Sequence, residues 1–325
     1  MTTTNMARET AECPAVLRKL HLPQIGIGKP AFAITCGRGS SGNAALLLRY
    51  LLETRLGLVV SESAPSTVAL MGARLSMRDA IHIAISQSGR SPDLVAAVQA
   101  AARSGARTIA IVNAPDSPLA HAAWQAIDIG AGEERSVAAT KSVVASMAVA
   151  AGLVAQWSGD APLASAIERL PERLSIALRL DWSRFFDAAC RARCVFVVAR
   201  GFGLAVAREI SLKISETLLV PSVSYSAAEF MHGPIAGVGA ETPVLCLKAG
   251  DETDASVAEV VARLRELRKP VETVADTLPW IGTDHPATDP VAMLVPAYLG
   301  IEAAARKAGL DPDRPPTLRK VTMTL

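Results

Sequence analysis

One short stretch of the chain combines the residue types that bind phosphate groups. Residues 86–91 read Ser-Gln-Ser-Gly-Arg-Ser and lie between an apolar run at 80–85 and a helical pattern that begins near 92. A strand that breaks into hydroxyl residues before a helix supplies unpaired backbone N–H groups, the positive end of a helix dipole and hydroxyl donors. Gly89 lets the backbone approach a ligand closely. Capping alone would explain one serine, so this density of donors predicts a phosphate site.

A second loop has the same form. Residues 31–36 read as a strand, 37–42 as the loop Gly-Arg-Gly-Ser-Ser-Gly, and 44–54 as a helix. The three glycines of the loop complete the G-x-G-x-x-G spacing of dinucleotide sites. The hydroxyls of Ser40 and Ser41 suit a monophosphate better, so dinucleotide binding is the less favoured interpretation.

Residues suited to acid–base chemistry lie in the second half of the chain. Glu209, Lys213 and Glu216 have i, i+4 and i+7 spacing, so they share one face of a predicted helix. Taken alone, such a stripe is typical of ion pairs on a solvent-exposed helix. His232 follows shortly and precedes a Gly-Pro break, which predicts an exposed chain reversal. A histidine presented there is a candidate for proton transfer.

The composition predicts a cytoplasmic α/β enzyme. The chain has 325 residues, enough for two domains, and a net charge of +2, which favours neither a nucleic-acid partner nor a membrane surface. The longest apolar stretches are too short to span a bilayer, and residues 1–5 lack the features of a secretory signal. The five cysteines show no metal-ligand spacing. We therefore predict no metal site and no cofactor.

The elements that must position these residues occur twice. Residues 32–39 resemble 195–203, and the Arg-Gly pair at 38–39 recurs at 200–201. Strands alternate with helices in both halves, which predicts two doubly wound parallel sheets. The predicted strands lie near 31–36, 57–61, 80–85, 107–112, 126–130, 194–199, 243–248 and 271–275, and the predicted helices near 42–55, 92–104, 137–157, 203–218, 254–268 and 295–309.

Five motifs, in order, carry a resemblance to the sugar isomerase (SIS) family, and more narrowly to the isomerase half of glucosamine-6-phosphate synthase. They are SQSG at 86–89, SVAATK at 136–141, LKISE at 212–216, AEFMHGP at 228–234 and DRPPTLRKVT at 313–322. The resemblance covers roughly residues 30 to 325. It implies an α/β fold of two tandem doubly wound parallel-sheet SIS domains, each a flavodoxin-like three-layer αβα unit, with a C-terminal tail.

The domain boundaries that we expect follow from this resemblance and from the repeat. They are an N-terminal segment at 1–29, a first SIS domain at 30–158, a helical connection at 159–190, a second SIS domain at 191–310 and a C-terminal active-site tail at 311–325.

The resemblance also implies roles for individual residues. The 6-phosphate would be bound by Ser86, Gln87, Ser88 and Ser91, with Ser40 or Ser41 replacing the serine that the synthase has at the position of Gly39. The sugar would lie against Val137, Ala138 and Ala139, where the synthase has serine at the position of Ala139. Glu216 would be the proton-shuttling carboxylate, His232 the ring-opening histidine, Lys320 the C-terminal amine and Lys213 a further active-site lysine. In the synthase the histidine comes from the neighbouring subunit, which implies a homodimer with shared active sites.

The reaction is suggested by what the chain lacks. The synthase begins with a glutaminase domain that has an N-terminal cysteine, whereas this chain opens Met-Thr-Thr and reaches its first cysteine at 13. We therefore expect it to make no ammonia from glutamine. Stand-alone double-SIS proteins with an Arg-Gly-Ser-Ser loop and an Asp-Arg-Pro-Pro tail resemble glucosamine-6-phosphate deaminases, which release ammonia and give fructose 6-phosphate.

Two alternatives remain open. One is a stand-alone aldose–ketose isomerase or a fructosamine-phosphate deglycase, acting on a hexose phosphate or hexosamine phosphate through the same residues. The other is a non-catalytic module that senses a phosphosugar. The presence of Glu216, His232 and Lys320 argues against the second alternative.

Overall fold

The computed structural model describes residues 3–26, 28 and 30–320, which form two compact units. The first-sheet unit comprises the described parts of Val16–Glu134, Lys141–Ser165 and Arg319–Leu325. The second-sheet unit comprises the described parts of Met1–Ala15, Arg135–Thr140 and Ala166–Leu318. The N-terminal residues and the segment at 135–140 therefore belong to the same unit as the second half of the chain.

Each unit is built on a parallel sheet. The strands are β1 (Phe32–Cys36), β2 (Val60–Glu62), β3 (Ala80–Ser86), β4 (Arg107–Val112), β5 (Gln125–Asp128), β6 (Val195–Ala199), β7 (Ser222–Ser226), β8 (Val244–Cys246) and β9 (Val271–Thr273). The helices are α1 (Asn5–Arg18), α2 (Ser40–Leu56), α3 (Pro65–Ala69), α4 (Pro92–Arg103), α5 (Pro118–Ala122), α6 (Lys141–Ser158), α7 (Ala161–Ala177), α8 (Ser183–Arg191), α9 (Gly203–Lys213), α10 (Ala227–Met231), α11 (Asp254–Glu266) and α12 (Asp289–Lys307).

The first sheet has the order β2-β1-β3-β4-β5 in the described residues, and all its pairs are parallel. This is the order of flavodoxin-like doubly wound sheets, in which ligands bind where the strand order reverses, here between β1 and β3. The central strand β3 is buried along its whole length, which explains its continuous apolar sequence. The loops that follow β1 and β3 are the two loops singled out from the sequence. The predicted doubly wound fold is confirmed.

The second sheet has the order β7-β6-β8-β9 and is also parallel. It repeats the first sheet with its own reversal point, between β6 and β8. The edge strand β7 was not predicted, because its sequence Ser-Val-Ser-Tyr-Ser is mostly polar and its residues are only partly buried. The helix predicted over 295–309 begins earlier, at Asp289. Pro290 is favourable in its first turn, and the helix continues through Pro296.

Two predicted helices differ from the structure at positions that concern function. The helix predicted over 137–157 begins at Lys141 instead, because Glu134 accepts a hydrogen bond from the backbone N–H of Ser142 (3.1 Å) in its first turn. The helix predicted over 203–218 is α9 followed by a π-helical turn at Ile214–Leu218. In the part of the chain that the structure covers, every helix is too short or too polar to cross a membrane.

Candidate active site

The loop at 86–91 follows β3 in the first-sheet unit. Ser86 is buried, and its hydroxyl accepts a hydrogen bond from the backbone N–H of Gly89 (3.1 Å). Ser88 accepts in the same way from Arg90 (3.3 Å). Ser91 stands at the N-cap of α4, but its hydroxyl makes no capping hydrogen bond. Helix capping therefore does not account for Ser91, and the loop retains donors for a ligand.

Gly89 has a conformation and surroundings that require glycine. Its φ is 60°, and a Cβ added there would lie 2.0 Å from the hydroxyl oxygen of Ser117. The backbone carbonyl of Gly89 also accepts a hydrogen bond from the N–H of Leu119 (3.1 Å). The turn is thus packed directly against the loop after β4, which holds its backbone in place.

The loop after β1 holds Gly39 in a conformation that favours glycine. Gly39 has φ 51° and ψ −127°, a conformation open to glycine and unfavourable for other residues. The helix α2 begins at the next residue, so Ser40 and Ser41 lie in its first turn, partly exposed. They are the nearest hydroxyls that could replace the missing serine, and this role stays a prediction.

Arg38 connects the two loops of the first-sheet unit. Its guanidinium Nε donates to the Asp93 carboxylate (3.0 Å), and its Nη2 also pairs with Asp93. Asp93 is almost completely buried in the first turn of α4, whereas half of the Arg38 side chain is exposed. The loops after β1 and β3 are therefore held together at the reversal point by a charged pair, and a cation stands beside the predicted phosphate loop.

Lys320 is bound to a buried carboxylate in the same unit. Its Nζ lies 3.2 Å from Glu134, whose side chain has no exposed surface. Glu134 also accepts from the hydroxyl (2.5 Å) and the backbone N–H (3.1 Å) of Ser142. The ammonium group of the tail is thus oriented by a carboxylate that is itself fixed at the start of α6.

Glu209, Lys213 and Glu216 form a buried charged cluster in the second-sheet unit, which we call the lysine cluster. The Lys213 ammonium lies 2.5 Å from Glu216 and 3.4 Å from Glu209. Glu209 also accepts a hydrogen bond from the hydroxyl of Tyr298 (3.2 Å) on α12. The side chains of Glu209 and Lys213 are 0% and 1% exposed, so the solvent-exposed stripe expected from spacing alone is wrong.

The charge state of Lys213 follows from these contacts. Burial by itself lowers the pKa of Lys213, but the adjacent carboxylates of Glu209 and Glu216 outweigh burial, and the pKa is raised above its ordinary value. Lys213 is therefore an ammonium ion at neutral pH. It is suited to holding carboxylates ionised, and it is not suited to acting as a neutral nucleophile.

The π-helical turn determines which member of the lysine cluster can be reached. Within this turn Glu216 is 23% exposed, while the neighbouring Thr217 and Leu218 are buried. The turn ends at Leu219, a non-glycine residue with φ 58°. Single π-helical turns inside α-helices are frequent at functional sites. Glu216 is thus a paired carboxylate that a ligand can reach.

His232 lies on the surface of the second-sheet unit, directly after α10. The ring of Phe230 anchors this short helix by packing edge-on against Phe196, with ring centroids 5.6 Å apart. The backbone N–H of His232 donates to the Glu229 carbonyl (3.2 Å), and within the described chain its imidazole makes no hydrogen bond. The imidazole is presented by a rigid helix end, as the Gly-Pro break predicted.

The segment 137–139 is held by a carboxylate that sequence reasoning missed. Glu9 of α1 is buried and accepts hydrogen bonds from the backbone N–H groups of Arg135 (2.5 Å) and Ser136 (3.2 Å). Ala138 is completely buried next to this anchor, and Val137 and Ala139 are partly exposed. Glu9 is stabilised in its buried position by these hydrogen bonds, whose backbone donors lie 126 or more residues away along the chain.

Asp313 anchors the same segment from the other side. Its backbone carbonyl accepts from the N–H of Val137 (3.0 Å), and its carboxylate accepts from the N–H groups of Asn5 and Met6, both at 2.8 Å. The carboxylate thereby caps the first turn of α1. The start of the tail, α1 and the segment 137–139 form one hydrogen-bonded assembly.

The structure distributes the predicted site residues over the two units. The first-sheet unit holds the predicted phosphate ligands and the tail lysine, namely Ser40, Ser41, Ser86, Gln87, Ser88, Ser91 and Lys320. The second-sheet unit holds the predicted sugar-binding and acid–base residues, namely Val137, Ala138, Ala139, Lys213, Glu216 and His232. Glu209, Glu9 and Arg38 join them as charged neighbours.

The chain is similar to proteins of known family. The family model described as SIS domain matches residues 32–155 and 190–277. A glutamine–fructose-6-phosphate aminotransferase (isomerizing) of Methanothermobacter thermautotrophicus is 33% identical over 302 residues, which cover 87% of this chain and 50% of that protein. The chain thus spans about half the length of the curated relatives that it matches.

Two solved structures extend this likeness. A candidate phosphosugar isomerase from Silicibacter pomeroyi DSS-3 superimposes with a TM-score of 0.88 at 37% identity and covers 96% of this chain and 100% of its own. A glucosamine-6-phosphate deaminase from Thermotoga maritima shares the fold, with a TM-score of 0.79 at 21% identity over 98% of each chain. Together with the family match over both sheets, these likenesses show that the chain belongs to the SIS domain family.

Proposed function

We propose that the protein is an enzyme that binds a hexosamine phosphate, moves a proton between C2 and C1, and releases ammonia. The substrate favoured by the motifs is glucosamine 6-phosphate, and the sugar product is then fructose 6-phosphate. One observation carries the proposal: in a member of the SIS domain family, Glu216 is partly exposed and bonded to the buried ammonium of Lys213 at 2.5 Å. An ionised carboxylate of this kind is suited to remove and return a proton.

Glu216 removes the proton from C2 of the open-chain amino sugar while O1 gains a proton, which gives an enolamine. Glu216 then returns its proton to C1 while the amino group loses one, which gives a 2-imine, so the net transfer is of one proton from C2 to C1 and one from nitrogen to O1. Water adds to the imine carbon, ammonia leaves, and C2 becomes the ketone of fructose 6-phosphate. A positioned general base typically contributes about 10²- to 10⁴-fold in rate.

The two lysines receive different roles in this proposal. Because the pKa of Lys213 is raised by two carboxylates, Lys213 stays an ammonium ion that holds Glu216 in place, and a Schiff base through Lys213 is disfavoured. Lys320 is about one quarter exposed and is oriented by Glu134. It is therefore the better candidate to stabilise negative charge on O1 of the substrate.

The phosphate group is assigned to the first-sheet unit. The loop at 86–91 lies at the reversal point of that sheet, where doubly wound folds bind ligands. Arg38, held by Asp93 beside this loop, adds a cation that suits a phosphate dianion. Replacing both Ser86 and Ser88 by alanine should therefore raise KM far more than it lowers kcat.

A homodimer with shared active sites is part of the proposal. His232 is assigned to opening the sugar ring, and its exposed imidazole makes no hydrogen bond to the described residues of its own chain. Co-expression of Glu216→Gln chains with His232→Ala chains should restore partial activity, because each mixed dimer then contains one site with both residues intact. Mixed dimers that form and stay inactive would contradict shared sites.

A direct assay distinguishes the candidate functions. The purified protein is incubated with glucosamine 6-phosphate, and ammonia and fructose 6-phosphate are measured in parallel. We expect both products in equal amounts, and we expect Glu216→Gln to bind the sugar and lose turnover, because the change keeps the shape and removes the base. Exchange of the C2 proton with solvent at the parental rate in Glu216→Gln would refute the role of Glu216.

A second candidate is an aldose–ketose isomerase that releases no ammonia. It is favoured by the likeness to the candidate phosphosugar isomerase of Silicibacter pomeroyi, whose sequence is 37% identical to this chain. Interconversion of hexose phosphates without ammonia release would support this candidate. Binding of phosphosugars with no turnover of any of them would instead indicate a sensing module and refute the enzyme.

A further inference from the structure

A cavity of about 570 Å³ lies in the second-sheet unit, at the amino ends of β8 and β9. Four cationic side chains and one carboxylate line it: Arg184, Arg191, Arg265, Lys269 and Glu272. None of the residues of the lysine cluster contributes to it, and neither does His232. Its volume is in the range of small-molecule sites.

The positive charges of this cavity are largely uncompensated. Arg265 pairs with Asp276, whereas Arg184, Arg191 and Lys269 make no ion pair with any described residue. Arg184 and Arg191 lie seven residues apart on α8, which puts them on one face of the helix, roughly 10 Å apart along its axis. Cations gathered around a cavity repel one another and raise the local concentration of anions.

Helix-dipole compensation does not explain the arrangement. A helix C-terminus favours positive charge. Three of the cations lie at such an end, Arg265 and Lys269 at the end of α11 and Arg191 at the end of α8. Arg184 lies in the first turn of α8, where the dipole favours an acidic residue instead. Helix dipoles therefore leave Arg184 unexplained, whereas an anionic ligand accounts for it together with Arg191 and Lys269.

The wall of the cavity adds a second chemical requirement. Ala188, Pro270 and Val271 line it, and all three are partly exposed, so a ligand in the cavity can contact them. Inorganic phosphate would leave this apolar surface unused. Cations beside an apolar wall suit a ligand with one apolar or aromatic part and at least two anionic groups. The planar guanidinium groups of two arginines match the oxygens of phosphate groups.

We propose that this cavity binds an organic diphosphate. Its phosphates would lie on Arg184, Arg191 and Lys269, and its apolar part would lie against Ala188, Pro270 and Val271. The site is separate from the proposed catalytic residues, so it does not depend on the deaminase assignment. The probe is a nucleoside diphosphate, and binding is measured by titration calorimetry on the full chain.

The matched variants are Arg184→Ala and Lys269→Ala on the cavity and Arg263→Ala on the exposed face of α11, where Arg263 pairs with Glu266. We expect each cavity variant to weaken binding about tenfold or more, because each removes charge-assisted hydrogen bonds to phosphate, and Arg263→Ala to leave it unchanged. Saturating glucosamine 6-phosphate should not displace the probe.

Three results would overturn the proposal. They are no binding of the nucleoside diphosphate at millimolar concentration, equal binding by the cavity variants and Arg263→Ala, and displacement of the probe by glucosamine 6-phosphate. Pyrophosphate binding as tightly as the nucleoside diphosphate would contradict the role given to the apolar wall. All three variants change exposed or partly exposed side chains, so folding is checked by circular dichroism and is expected to be unchanged.

Discussion

Replacing Lys213 by methionine tests the electrostatic role of the lysine cluster. Methionine has a similar length and no charge, so the change removes the ammonium that lies within 4 Å of both Glu209 and Glu216. The carboxylate of Glu209 has no exposed surface and would lose this ion pair. Removing one partner of a buried ion pair typically costs about 3–5 kcal/mol of folding free energy, and we expect a loss of that size.

The pH dependence of this loss has a defined sign. In the parent chain the pKa of Lys213 is raised above its ordinary value of 10.5, so its stabilising contribution is fully present at neutral pH and is lost only as the pH rises past that value. In Lys213→Met the carboxylates of Glu209 and Glu216 lack this ammonium and destabilise the fold while they are ionised. The variant should therefore approach the stability of the parent chain as the pH falls into the acidic range.

The assay is urea unfolding of three variants, followed by turnover measurements. Lys213→Met combined with Glu209→Gln removes the buried negative charge and keeps an oxygen for Tyr298, so it should recover most of the lost stability without recovering activity. Arg208→Met, on the exposed side of the same helix, should change stability by less than about 0.5 kcal/mol. A loss below about 1 kcal/mol in Lys213→Met, or no recovery in the double variant, would refute the reasoning.

Three further predictions concern stability and anchoring. Burial lowers the pKa of His82 from 6.5 to about 4, so between these values the unfolded chain binds a proton that the folded chain does not. About 2 kcal/mol of folding free energy should therefore be lost between pH 7.5 and pH 5. Urea midpoints should show this loss in the parent chain and in His121→Gln, and not in His82→Leu. Gly89→Ala should destabilise the chain by about 1–3 kcal/mol through its positive φ and its clash with Ser117, and addition of Ser117→Gly should recover part of this in thermal unfolding. Asp313→Asn should cost about 1 kcal/mol of folding free energy by weakening the cap of α1, and it should raise KM. A variant with the same stability and the same KM as the parent chain would exclude an anchoring role for Asp313.

Local patterns were enough to predict most of the fold. Buried parallel strands have continuous apolar sequences, so β1, β3, β4 and β6 were found within one residue of their bounds. The edge strand β7 was missed because three of its five residues are serines at a partly exposed edge. Propensity cannot identify such a strand, since it is held by pairing with β6 and not by its own apolar content.

Burial of charged residues could not be predicted from the sequence. The spacing of Glu209, Lys213 and Glu216 is typical of an exposed stripe, and only contacts with α12, such as the hydroxyl of Tyr298 89 residues away, reveal that the cluster is buried. The roles of Glu9 and Asp313 are of the same kind. Their carboxylates bind backbone N–H groups more than 100 residues away, and no local pattern encodes those partners.

The repeated architecture raises the question of why only the first half has a serine-rich loop. The corresponding loop of the second sheet follows β8, the strand at its own reversal point. There the backbone N–H groups of Ala249 and Gly250 donate to the carboxylate of Asp254, at 2.8 and 3.1 Å. Burial raises the pKa of Asp254, and these two hydrogen bonds act against that rise by favouring the ionised form. A carboxylate of the chain itself thus accepts from backbone donors at the position that corresponds to the predicted phosphate loop at 86–91, so duplication of the fold does not require duplication of the predicted phosphate site.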